Sequence, residues 1–153
     1  MIILGVDPGA SGGIAGIHEK IGGAAWALKD KTLMDQWKLF MDHRKSSELN
    51  STSIKAYLES VHSMPRDGVR SAFSFGKSYG NLEAFLVAAE IPFERVTPSV
   101  WQKEFGLIKR KGETHTQKKN RHKALAQEMF PSVKVTHATA DAILLAEYGR
   151  RQK

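Results

Sequence analysis

The chain has 153 residues, 41% hydrophobic and 25% charged, the proportions of one soluble globular domain. It has no cysteine, which excludes disulfides, thiolate metal sites and a cysteine nucleophile, and no apolar run long enough to read as a membrane span. A net charge of +7 points instead toward polyanionic partners.

Residues 2–7 form an apolar, β-branched run ending in Asp7-Pro8-Gly9, which predicts a buried first strand followed by a sharp turn. The start of the chain lacks the features of a secretory signal or transit segment, so a cytoplasmic setting is expected. Ile14 to His18 and Ala24 to Leu28 predict two further strands in a meander. Leu33, Trp37, Leu39 or Phe40, and Met41 fit a helix, and the polar, serine-rich residues 44–53 fit a loop. A fourth strand is expected over Ile54 to Ser60, with Glu59 at its end.

Gly68 to Glu90 carries a long helical pattern, although Gly76 and Gly80 each weaken it by about 1 kcal/mol. Ile91 to Val96 predicts a fifth strand, and Thr97-Pro98 opens a short helix carrying Trp101. Residues 106–112 are basic and expected to be mobile. Thr114 to Gln117 reads as a capping box for a helix that Pro131 closes. Thr136 is the expected cap of a last helix through Tyr148, with Gly149 as its terminator. This order implies an α/β domain, a mixed five-stranded sheet flanked by helices on both faces, occupying residues 1–153.

Between Arg95 and Lys123 nine basic residues face two acids, Glu104 and Glu113. The cluster includes Lys109, Arg110, Lys111, Lys118, Lys119 and Arg121, and it favours a nucleic-acid grip over a merely solubilising surface. Asp7 and Glu59 both end strands, where open α/β sheets bind ligands. His137 and Asp141, at spacing i and i+4, share one face of the last helix. Singly, each has a plain reading: a turn cap for Asp7, a solvent-facing charge for Glu59, compensation of the helix dipole for Asp141. Jointly they make an oxygen-rich site suited to Mg²⁺ or Mn²⁺, with two ions able to activate a water and stabilise a leaving phosphodiester oxygen. No organic cofactor and no membrane partner is implied.

Five segments occur in one order along the chain: Asp7-Pro8-Gly9, Glu59 to Pro65, Phe73 to Gly80, Val96 to Trp101, and Ala140-Asp141-Ala142. That order resembles the RuvC-like Holliday junction resolvases, particularly the small forms of phages and prophages, over essentially the whole chain. The resemblance implies an RNase H-like fold and a homodimeric, magnesium-dependent endonuclease acting on branched, four-way DNA. It implies that Asp7, Glu59 and Asp141 bind metal, and that the helix after Glu59 is the dimer element with Phe73 and Phe75 near it. His62 stands where an aromatic residue stacks on bases, Trp101 follows the Thr-Pro turn, and Lys118 or Lys119 meets the scissile phosphate. The family's acid or histidine three residues before the last aspartate is Ala138 here. The expectation is that His137 supplies that ligand; otherwise Asp141 works with a water.

Three other readings compete. Cleavage of RNA in RNA–DNA hybrids would use the same metal site, but the Ser63 to Gly80 run resembles resolvases. An Asp-x-Gly phosphate-loop ATPase would need a second phosphate loop, and nothing after Gly13 supplies one. A non-catalytic branched-DNA binder would have lost one or more acids, and all three are present.

Overall fold

In the computed structural model of the chain, which describes residues 1–18, 22–60 and 68–152, five strands of the described residues form one mixed sheet in the order β3-β2-β1-β4-β5. β1 (Ile2–Asp7) is central, antiparallel to β2 (Gly13–His18) and parallel to β4 (Ile54–Glu59). β3 (Gly22–Ala27) pairs antiparallel with β2, and β5 (Phe93–Val96) runs parallel to β4. The helices are α1 (Leu33–Leu49), α2 (Val69–Ala88), α3 (Pro98–Glu104), α4 (His115–Met129) and α5 (Ala140–Arg151).

Strand alternation divides the core in two. Ile2, Leu4, Val6 and Leu58 point to one face, where Phe40 of α1 and Leu82 and Leu86 of α2 cover them. Ile3 and Tyr57 point to the other, under Trp101 of α3, Ala126 of α4 and Leu144 and Leu145 of α5. A strand buried on both faces reads as a continuous apolar run, which is why β1 is recognisable in the sequence. Truncating Leu144 or Leu145 to alanine would cost about 2–5 kcal/mol.

α5 lies directly on β1 because the sequence leaves room for it. A Cβ on Gly5 would stand 2.0 Å from the Ala142 carbonyl oxygen and 2.6 Å from the Ala146 nitrogen. Small residues on both partners therefore bring the helix backbone onto the strand, and the first turn of α5 reaches the end of β1 where Asp7 stands.

Three segments differ from the sequence expectation. α1 runs on through residues 44–49, where a loop was expected. Its start is fixed by a Thr32–Asp35 capping box, its tail gains the Arg44–Glu48 pair at 2.9 Å, and buried Ser47 closes its end by donating to the Thr52 carbonyl. α5 begins at Ala140, with Thr139 rather than Thr136 as its N-cap residue. The Thr136 amide donates to the Thr139 hydroxyl at 3.0 Å, so residues 136–139 form a separate turn. Gly149 lies inside α5, where a Cβ would stand 2.2 Å from the Tyr57 ring; it permits packing and terminates nothing.

Residues 106–112, expected to be mobile, form a braced turn. Gly106 and Gly112 take φ values of 65° and 76°. The Arg121 guanidinium donates to the carbonyls of Gly106 and Ile108 at 3.2 and 3.1 Å, and the Arg110 amide donates to Glu113 at 3.0 Å. No helix among the described residues is long and apolar enough to cross a membrane.

Candidate active site

The parallel register pairs Val6 with Leu58, so the next residues, Asp7 and Glu59, end their strands side by side. Alternation aims them at the face opposite Val6 and Leu58, toward α5. There Asp141, in the first turn of α5, joins them electrostatically. Beyond Asp7 the chain turns at Gly9, whose φ of 109° suits a residue without a side chain, and whose amide donates to the Ser78 hydroxyl of α2 at 3.2 Å.

Two of the three acids, Asp7 and Glu59, are poorly compensated. Burial, then the charges of Glu59 and Asp141, push the Asp7 carboxyl well above the usual carboxylate range. Burial also raises Glu59, more strongly than its hydrogen bond from Trp101 lowers it. The side-chain interaction between Asp7 and Glu59 raises the pKa of Asp7 and lowers that of Glu59. Two lysines of α4 offset part of the repulsion: Lys119 favours the ionised form of Asp7, and Lys118 that of Glu59. The Lys118 ammonium also donates to buried Gln102 at 2.8 Å.

Oxygen donors around uncompensated negative charge suit a hard divalent cation. Among the described residues no three His, Cys, Asp or Glu side chains stand in a ready-made coordination cluster. The fit therefore rests on donor chemistry and charge.

Compared by sequence, the chain matches no protein-family model and no curated protein. Compared by structure, it superposes on Thermus thermophilus RuvC in complex with Holliday junction substrate, with a TM-score of 0.59 at 12% identity. A second structure of Thermus thermophilus RuvC gives a TM-score of 0.53 at 14% identity. Each match covers 99% of this chain and 96% of the other. The fold is that of RuvC.

Within this RuvC fold the remaining sequence-predicted residues divide into three groups. Lys109, Arg110 and Lys111 are exposed on the braced turn ahead of α4, and Phe73 is 75% exposed on α2. Arg121 is committed inward: besides the two carbonyls it grips Glu113, at 2.6 and 3.0 Å. His62 lies outside the described residues.

His137 is not brought to Asp141. It precedes α5, so the shared helix face expected for the two residues is absent, and its Nε2 meets the Asn120 amide oxygen at 2.9 Å in an exposed position. The histidine that reaches Asp141 is His122 of α4, with Nδ1 and Oδ1 2.6 Å apart. His122 is buried, and its ring stands edge-on to Trp101 at 5.6 Å. The Trp101 indole N–H donates to Glu59 Oε1 at 2.9 Å, so this fully buried residue of the core also grips the site. Sequence reasoning missed His122, yet a signal was present: Lys118, Lys119 and His122 stand at i, i+1 and i+4 of one helix, spacing that turns them to a common side.

Proposed function

We propose that the chain is a metal-dependent endonuclease that resolves four-way DNA junctions as a homodimer, with residues 1–153 as one nuclease domain. The observation that carries this reading is the convergence of Asp7, Glu59 and Asp141 at the strand ends of a RuvC fold, flanked by Lys118 and Lys119. Asp7, Glu59 and Asp141 would hold Mg²⁺, or Mn²⁺, two ions per site. When bound, such ions lower the pKa of a water and stabilise the leaving oxygen of a phosphodiester. His137, turned toward Asn120, has no place in this ligand set.

The protein's own groups perform the rest. Lys118 and Lys119, on the side of α4 that faces the acids, hold the scissile phosphate against their negative charge. Lys109, Arg110 and Lys111 grip neighbouring phosphates without reading bases. Val69 and Phe73 are 87% and 75% exposed at i and i+4 on α2, a stripe suited to burial against a second copy. A two-fold dimer presents two sites in the relation that paired nicks across a crossover require.

One gel tests the reading: a labelled four-way junction, a linear duplex and an RNA–DNA hybrid, each with Mg²⁺, Mn²⁺ or EDTA. The expected result is paired nicks in the junction only when metal is present. Preferential cutting of the hybrid, or cutting that persists in EDTA, would overturn it.

A further inference from the structure

Behind the acids lies a buried aromatic bridge. Glu59 accepts from the Trp101 indole at 2.9 Å, the Trp101 ring meets the His122 ring at 5.6 Å and 75°, and His122 Nδ1 reaches Asp141 at 2.6 Å. The bridge joins carboxylates from two elements, β4 and α5, through side chains of two others, α3 and α4. We infer that Trp101 and His122 act as one positioning unit that fixes the orientation of Glu59 and Asp141 for divalent-cation binding; this rests on the nuclease reading above.

Two features separate the inference from ordinary core packing. The first is an orphan atom: His122 Nε2 is buried with no hydrogen-bond partner among the described residues. An apolar side chain would fill the same space without a dry polar nitrogen, so what the imidazole contributes is the Nδ1 bond to Asp141. The second is geometric. Each carboxylate has one oxygen tied to the bridge, Glu59 by Oε1 and Asp141 by Oδ1, so the bridge sets the direction in which each carboxylate is held. Outer groups that hold a ligating carboxylate act on metal affinity as well as on stability, typically by 10–100-fold when removed.

The test compares Trp101→Phe, which keeps a ring and deletes the N–H donor, His122→Leu, which fills the space and deletes the donor, and His122→Asn, whose amide N–H can stand where Nδ1–H stands. Mn²⁺ and Mg²⁺ are titrated by calorimetry into each DNA-free protein, melting is followed in EDTA, and junction cleavage is timed. Trp101→Phe and His122→Leu should weaken metal binding about 10–100-fold. His122→Asn should recover most of that loss, and the double variant should lose less than the product of the two single losses, because the pair is one unit. A parent that binds metal and cuts junctions, beside Trp101→Phe and His122→Leu proteins of parental metal affinity, would overturn the bridge and leave the nuclease reading standing. A parent that binds no metal would overturn both. Should His122→Leu fail to fold, parental affinity in Trp101→Phe alone is enough to reject the inference.

Discussion

The two ends of α5 carry carboxylates in opposite circumstances. Glu147 is as deeply buried as Glu59, with 2% against 8% exposure. Burial alone would raise its pKa, but Arg150 grips both its oxygens at 2.7 and 2.8 Å, Arg151 adds a bond at 2.9 Å, and these cations hold it below the usual range. At the other end, Asp141 joins Asp7 and Glu59, and burial together with mutual repulsion keeps Asp7 and Glu59 high. Both ends suit the helix dipole, acid first and bases last. The difference is compensation. Where a buried acid has its cation in direct contact, as Glu147 has, its pKa is held down; where burial and neighbouring acids outweigh the nearby lysines, as at Asp7 and Glu59, it stays raised, the circumstance typical of functional sites.

The comparison breaks most visibly at Glu147. Glu147→Gln should destabilise the protein by about 1–2 kcal/mol in urea unfolding, the lower part of the range for hydrogen bonds to charged groups, since Arg150 and Arg151 are 46% and 40% exposed and partly screened. A smaller change of opposite sign is expected at the other end. Asp7→Asn should raise the melting temperature in EDTA by roughly 2–4 °C, about what 1 kcal/mol yields in a chain of this size.

The pH dependence sharpens the same contrast. Asp7 and Glu59 have folded pKa values above their unfolded ones, so in the metal-free protein their ionisation opposes folding at neutral pH, and stability rises as pH falls through the raised values. Glu147, and Glu113 held down to about 2 by Arg121, contribute stability above their unfolded values near 4.5 and lose it as pH falls further. Melting in EDTA between neutral pH and pH 3 should therefore show a gain before the loss, and Asp7→Asn should flatten the gain. The smallest stability effect belongs to the surface. Replacing Lys109, Arg110 and Lys111 by alanine should change stability by no more than about 0.5 kcal/mol, yet flatten the salt dependence of junction binding by up to ~3 contacts.

Much of this architecture was legible in the sequence. β1 was visible because burial on both faces leaves an uninterrupted apolar run, and the Thr114–Gln117 capping box because its two reciprocal bonds need particular residue types. The tail of α1 was not, because a mostly polar segment stays helical there through the Arg44–Glu48 pair and the Ser47 bond, neither of which has hydrophobic period. The start of α5 is not legible because Thr136 and Thr139 are both residue types that favour helix caps, and the Thr136–Thr139 turn that precedes the helix rests on bonds between the two. At the site, strand ends exposed Asp7 and Glu59, whereas the reach of His122 to Asp141 depends on how α4 crosses α5, a tertiary fact. Proximity in sequence favoured His137; packing favoured His122.

The proposed activity requires that Asp7, Glu59 and Asp141 do the cutting. The decisive measurement is the rate of Mg²⁺-dependent cleavage of a four-way junction by the parent and by Asp7→Asn, Glu59→Gln and Asp141→Asn, with junction affinity determined in parallel. Each variant should bind the junction about as well as the parent and cut it at least ~10²-fold more slowly, the scale on which loss of one electrostatic catalytic group acts. Near-parental cleavage by any one of the three would remove that residue from the site and contradict the account.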